Sequence, residues 1–135
     1  NVYGPGEGHK VDQMSLVSKF QKQAGQDGAI KLFEGSDKFE RDLVSVHDVA
    51  VVHEKMMHET DTCGVFNLGT GKAVNVEEVA KLIAKRYDAK IEYIPMPDHL
   101  KSQYQEYTCA DNAKLHNAIA IRHWHTIEEY INATN

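Results

Sequence analysis

The sequence predicts an α/β fold, on two observations. Short β-rich apolar runs alternate with longer segments whose apolar residues recur at helical spacing, and glycine or proline stands at most of the changeovers. Asn1 to Lys10 carries Gly4, Pro5, Gly6 and Gly8, which makes it a turn-forming loop whose backbone allows close approach of a ligand, ending in His9 and Lys10. Asp12 to Ala24 places Met14, Leu16, Val17, Phe20 and Ala24 on one helical face, with Asp12 as N-cap and Gly25 and Gly28 as the stop. Ile30 to Phe33 is a short strand, Glu34 to Phe39 a polar loop turned by Gly35, and Leu43 to Val46 a second strand.

His47 to Glu59 follows as a helix burying Val49, Val52 and Met56, with Asp48 preferred as its cap over a functional carboxylate. Val65 to Leu68 reads as a third strand ended by Gly69 and Gly71. That Gly-Thr-Gly has no third glycine at dinucleotide-fold spacing, so it is a weak phosphate signal. Asn75 with Glu78 opens a helix striped by Val76, Val79, Ile83 and Tyr87. Lys90 to Ile94 is a strand; Pro95 and Pro97 stop it and hold Asp98 to Tyr104 in a loop or short turn. Asp111 begins a short helix, and Thr126 with Glu129 repeats the capping pattern before the last one. No repeat, low-complexity tract or linker divides the chain.

Composition narrows the function classes. With 135 residues and 41% hydrophobic residues the chain is long and apolar enough for a core, and no run reaches the roughly 18 apolar residues of a membrane helix. A net charge of -5 speaks against nucleic acid, whose phosphates are met by a basic face, while a small diphosphate needs only a few local cations such as Lys10, Lys31 and Arg41. Cys63 and Cys109 are isolated and fit reduced thiols in a cytoplasmic setting. The 8 histidines raise a metal question: His123 and His125 could point the same way on an extended segment, but His53 and His58 do not share a helix face. No Cys or acidic residue completes a ligand set, so no metal site is expected. The sequence starts in the middle of a motif without methionine and reads as a fragment.

Asn1-Val2-Tyr3-Gly4-Pro5 resembles the segment by which extended short-chain dehydrogenase/reductases acting on nucleotide sugars pass from the dinucleotide-binding sheet into the substrate domain. Its continuation, Glu7-Gly8-His9-Lys10, resembles the ADP-heptose 6-epimerase family. Lys31 to Ser36, Arg41-Asp42, Phe66 to Gly71, Ile91 to Pro95 and Leu100 to Tyr104 recur in that family's order, and the match runs from Asn1 to about Leu115. The resemblance implies that residues 1–135 are the C-terminal substrate-binding portion of such an enzyme. The Rossmann-type NADP-binding core would then lie upstream and be absent, and the Val65 to Leu68 strand would join the missing sheet, leaving the fragment prone to self-association.

The implied reaction inverts carbon 6 of ADP-D-glycero-D-manno-heptose for lipopolysaccharide core synthesis: NADP takes a hydride, leaving a ketone, and returns it to the opposite face. NADP would be bound mainly by the missing domain, and the partners implied are the ADP-heptose substrate and further copies of the chain in a homo-oligomer, a pentamer in the family. Carried over by position, Asn1 is a substrate contact, Val2 a backbone contact to NADP, and Lys10 the active-site base beside the cofactor. Phe33, Glu34, Gly35 and Ser36 form a wall around the ADP-sugar, Arg41 pairs with its diphosphate, and Tyr104 closes over it. On the residues alone, the preferred readings are Phe33 as a core strand residue, Arg41 as a surface cation and Tyr104 as a half-buried loop aromatic.

The chain holds neither GxxGxxG nor a tyrosine followed four residues later by lysine, so this polypeptide alone is expected to be inert. It also departs from the family after Lys10, where Val11-Asp12-Gln13-Met14-Ser15 replaces a run resembling Gly-x-Met-Ala-Ser, and around Arg122-His123-Trp124-His125. The alternatives are the corresponding part of another nucleotide-sugar 4-epimerase or dehydratase, and a non-catalytic binding module.

Overall fold

The computed structural model describes residues 1–59 and 62–133. Strand β1 (Val2–Tyr3) leads through Gly4, where an added Cβ would lie 2.3 Å from Val46 Cγ1. The first glycine of the loop thus admits a neighbouring side chain, not a ligand. A 3-10 turn at Glu7–Gln13 follows, and helix α1 (Leu16–Asp27) starts later than its pattern predicts. The cap is Ser15, whose hydroxyl accepts the Ser18 N–H at 3.2 Å, and Asp12 belongs to the preceding turn. Val17, Phe20 and Ala24 are buried as expected; Gly25 lies inside the helix, and Gly28, at φ 65°, ends it.

Strand β2 is Ala29–Phe33. The predicted second strand divides into β3 (Glu40–Asp42) and β4 (Val44–Ser45), which belong to different sheets. Helix α2 (Val46–His58) is capped by Ser45, which accepts the His47 N–H at 3.2 Å, so Asp48 is released from the capping role assigned to it. Strand β5 (Ala73–Asn75) precedes α3 (Val76–Tyr87), capped by Asn75 through the N–H groups of Glu77 and Glu78. Strand β6 (Lys90–Ile94), α4 (Asp98–Lys101), β7 (Tyr107–Thr108), α5 (Ala113–Ala118) and α6 (Ile127–Ala133) complete the order. At α6, Thr126 and Glu129 make the reciprocal capping box their spacing predicts.

β1 pairs in parallel with β4, and β2 with β6, each through a crossover that contains helices. β3 is the centre of a third sheet, antiparallel to β5 and parallel to β7. Parallel strands joined by helical crossovers are the Rossmann-type pattern. This corrects the expectation of a substrate-binding portion whose Rossmann-type part lies wholly outside the chain. The larger core gathers Tyr3, Val17, Phe20, Ile30, Leu32, Val79, Ile83 and Ile131, with α3 packed on α1, β2 and α6.

Residues 65–68 form no strand. Phe66 and Leu68 instead pack on a second cluster of Val52, Leu115 and Ile119, while Val65 stays 87% exposed. The apolar run that suggested a strand is satisfied by half-burying two side chains against this cluster, with no partner strand for the backbone among the described residues.

Candidate functional site

A cavity of about 330 Å³ opens beside the end of β2, lined by Glu34, Gly35, Lys38, Phe39, Lys101 and Tyr104 among others. Tyr104 is its centre. Its ring meets Phe33 edge-on at 5.8 Å and Phe39 at 4.7 Å, and the Arg41 guanidinium lies 5.2 Å from its centroid. Arg41 Nη1 donates to the Glu40 carbonyl at 2.9 Å and Nη2 to that of Gln105. Two carbonyls and a ring fix the guanidinium while leaving it N–H groups for a further partner, an arrangement suited to a phosphate or carboxylate. Asn1 sits nearby: its Nδ2 donates to Thr108 Oγ1 at 3.4 Å, and Thr108 is in register with Arg41 across β3 and β7.

The fold therefore brings Asn1, Phe33, Glu34, Gly35, Arg41 and Tyr104 into one region. Ser36 departs from the expected wall. It is 1% exposed and donates to Glu77 Oε2 at 3.4 Å, inside the structure. Glu77 also accepts from Lys81 at 2.8 Å and Tyr93 Oη at 2.9 Å, and these donors hold its carboxyl below the usual range.

Val2 lies half-exposed on β1, whereas Lys10 belongs to a separate cluster. Its ammonium is 3.6 Å from Glu7 Oε2. Glu7 is 8% exposed and accepts from Ser15 N (2.7 Å), Ser15 Oγ (2.6 Å) and Ser18 Oγ (2.8 Å). Burial pushes its carboxyl up, but the hydrogen bonds from Ser15 and Ser18 outweigh burial and hold it low. Glu7, which the sequence reading passed over, ties the glycine loop to the start of α1; the signal was a carboxylate set among glycines ahead of a serine-rich helix start.

Two further carboxylates organise the molecule. Asp42, 5% exposed, accepts from Thr70 N (2.9 Å), Thr70 Oγ1 (2.7 Å), Gly71 N (2.9 Å) and Ala110 N (3.0 Å). Burial raises its pKa and these donors more than reverse the effect. An added Cβ at Gly69 would stand 2.6 Å from both Asp42 Oδ2 and Ala110 Cβ. The Gly-Thr-Gly therefore wraps an internal carboxylate. Asp48, 3% exposed, accepts from His125 N at 2.9 Å and His125 Nδ1 at 2.6 Å. As the side chains stand, no three His, Cys, Asp or Glu among the described residues are placed to hold a metal ion.

The fold is similar to that of a class, the NAD(P)-dependent nucleotide-sugar epimerases and dehydratases of the extended short-chain dehydrogenase/reductase type. No protein-family profile matches the chain. Among solved structures it resembles ADP-L-glycero-D-manno-heptose-6-epimerase from Helicobacter pylori, with a TM-score of 0.83 and 27% identity over 98% of this chain and 40% of that one. It also resembles UDP-glucose 4-epimerase from Thermotoga maritima (TM-score 0.78, 26% identity, 99% of this chain, 42% of that one). An NAD-dependent NDP-hexosamine 5,6-dehydratase of tunicamycin biosynthesis is as similar (0.80, 25%, 99% and 42%).

The chain thus spans about two-fifths of the length of the structures it matches. What the match supports is an α/β fold corresponding to the Rossmann-type, NAD-binding part of these enzymes, and the assignment to their C-terminal substrate-binding portion is not kept. The likeness is one of fold. At Gly69 to Gly71 the N–H groups of Thr70 and Gly71 are spent on Asp42, and the Gly4 to Gly8 loop carries the Glu7 carboxylate, which Ser15 and Ser18 hold. Neither glycine loop fits the pyrophosphate of a dinucleotide, which needs free N–H groups and no anion among them.

Proposed function

We propose that this chain is part of an NAD(P)-dependent enzyme that modifies a nucleotide-linked sugar, and that its reaction is the 6-epimerisation of ADP-D-glycero-D-manno-heptose. The observation that carries the reading is a cavity lined by Glu34, Gly35 and Tyr104, with Phe33 and the Arg41 guanidinium held against the ring of that tyrosine. An aromatic wall takes a base or sugar ring, and a fixed guanidinium takes two phosphate oxygens. The similarity to the Helicobacter pylori 6-epimerase supports the particular sugar.

In this reading Arg41 binds the diphosphate, Tyr104 and Phe33 flank the nucleotide, Asn1 contacts the sugar, Val2 borders the cofactor and Lys10 handles a proton. Ser36 is left out, because its hydroxyl is turned to Glu77. A second reading, another nucleotide-sugar 4-epimerase or dehydratase, is favoured by 25% and 26% identities that lie close to the first. Turnover assays of the complete enzyme with ADP-, UDP- and dTDP-linked sugars separate the two: conversion of the ADP-heptose alone supports the first, and conversion of a UDP- or dTDP-hexose in its place refutes it.

A further inference from the structure

A second cavity, of about 560 Å³, is lined by other residues and takes no part in the reading above. It is lined by Pro5, Ser45, His47, His123, His125 and Tyr130, with Glu129 and Ala133 at its margin. Pro5 lies two residues past β1, Ser45 ends β4 and His47 lies two residues past it, so the cavity stands at the carboxyl ends of two parallel strands. In open α/β sheets that is where ligands are generally received, because side chains from the following loops converge there.

The chemistry is set by one pair. Asp48 has a side chain only 4% exposed, whereas that of His125 is 50% exposed. A carboxylate only accepts, so the 2.6 Å contact places a proton on His125 Nδ1, and in the neutral imidazole the lone pair is then on Nε2. A second bond, from the His125 N–H to the other Asp48 oxygen at 2.9 Å, prevents the backbone from turning the ring away. Nε2 has no hydrogen-bond partner among the described residues. The rings of His47 and His123 stand 6.4 and 5.3 Å from that of His125, and His123 Nε2 is 3.3 Å from Glu129 Oε2. Tyr3 Oη donates to the His125 carbonyl at 3.1 Å and braces the same residue from below.

We propose that this cavity is a second ligand site, in which His125, positioned by Asp48, accepts the proton of a small molecule with an apolar body and one weakly acidic hydroxyl, such as a phenol or an enol. Pro5, Tyr130 and Ala133 supply the apolar wall. The ligand's O–H bond breaks, its proton passes to Nε2, and the oxyanion remains beside the imidazolium, whose Nδ1 proton stays shared with Asp48. A buried carboxylate behind an imidazole stabilises the imidazolium that forms and takes no proton itself.

The test uses the full chain and p-nitrophenol, whose ionised form has its own absorption band. Bound probe should be ionised about tenfold more than free probe at the same mildly acidic pH, equivalent to one pKa unit of stabilisation. His125→Gln should abolish this gain and Asp48→Asn should reduce it, with the melting temperature of each reported alongside. Nitrogen-15 NMR of the unsubstituted chain, which needs no variant to fold, should show His125 protonated at Nδ1 and bare at Nε2. Absence of any change in the probe's ionisation up to millimolar protein, an undiminished gain in His125→Gln, or a proton found on Nε2 would each overturn the proposal.

Discussion

Replacing Asp42 by alanine removes the acceptor for four hydrogen bonds in one step. The Thr70 hydroxyl is recovered in part, because it also donates to the Lys72 carbonyl at 3.1 Å. The three backbone donors, Thr70 N, Gly71 N and Ala110 N, have no second partner of that kind among the described residues. Because Thr70 and Ala110 are half-buried and Gly71 is exposed, each costs about 1 kcal/mol when left unmet, the low end for a buried donor. The expected loss is therefore about 3 kcal/mol, a large fraction of the stability of a domain this size. Asp42→Asn should cost less, about 1 kcal/mol, since its amide can place one oxygen on the Gly71 and Ala110 donors and its NH₂ on the Thr70 hydroxyl, leaving Thr70 N unmet.

Urea denaturation followed by circular dichroism measures both, and the pH dependence identifies the cause. The Asp42 carboxyl is held below its ordinary value in the folded state, so its contribution is full above the unfolded carboxylate pKa of about 3.9 and disappears as pH falls through the lower folded value. The gap between the native chain and Asp42→Asn should accordingly narrow below about pH 4. A loss under 1 kcal/mol for Asp42→Ala, or a gap that does not change with acid, would refute the account of Asp42 as the hub of the Gly-Thr-Gly loop.

Gly69→Ala should destabilise the chain by about 1–3 kcal/mol, because its methyl group meets the same carboxylate and Ala110; an unchanged urea midpoint would show that the loop can move aside. Glu7→Gln should lower stability by about 1–2 kcal/mol at neutral pH, read by thermal unfolding, with the difference fading as pH falls below the unfolded glutamate value of about 4.3. In the complete enzyme, Arg41→Ala should weaken ADP binding by about 2–5 kcal/mol in calorimetry if the contact is desolvated, and unchanged ADP affinity with a raised substrate constant would move Arg41 to the sugar end. Lys10→Met tests the proton-transfer role: lost turnover with cofactor and substrate binding retained supports it, and turnover restored at saturating ligand would make Lys10 a charge clamp.

Several elements were legible because local pattern and tertiary demand agree in them. The stripe of Val76, Val79 and Ile83 is buried as its spacing requires, Asn75 caps as its position requires, and β2 and β6 fall on the two β-rich runs. Other readings were defeated by competition between neighbours of equal propensity. Ser45 and Asp48 both suit a helix start; Ser45 takes the cap because it is the last strand residue, and Asp48, one turn later, faces the segment that brings His125 from 77 positions away.

The candidate site was legible only in part, for a related reason. Tyr104, Phe33 and Arg41 entered the expected site through the resemblance alone, since by residue type they read as a loop aromatic, a core strand residue and a surface cation; the structure brings their side chains into contact. Ser36 sits in the expected stretch but on the inner side of a 3-10 turn, a half-turn that no local spacing encodes. Likewise the chain shows where Lys10 is but not that Glu7, three residues earlier, occupies its ammonium.

β3 has a consequence for how the molecule forms. Three residues, Glu40 to Asp42, are gripped on one side by Ala73 to Asn75 and on the other by Tyr107 and Thr108, segments distant in sequence from it and from one another. Loop closure must precede any reward from such pairings, so they assemble slowly and late. Arg41 is the middle residue of that strand and Asp42 its end, which means the cavity over Tyr104 comes into existence only when the last long-range contacts zip shut. A nascent or partly opened chain has no such cavity, and anything that binds there acts as a ratchet on the final step of folding, slowing the reverse step without hastening the forward one.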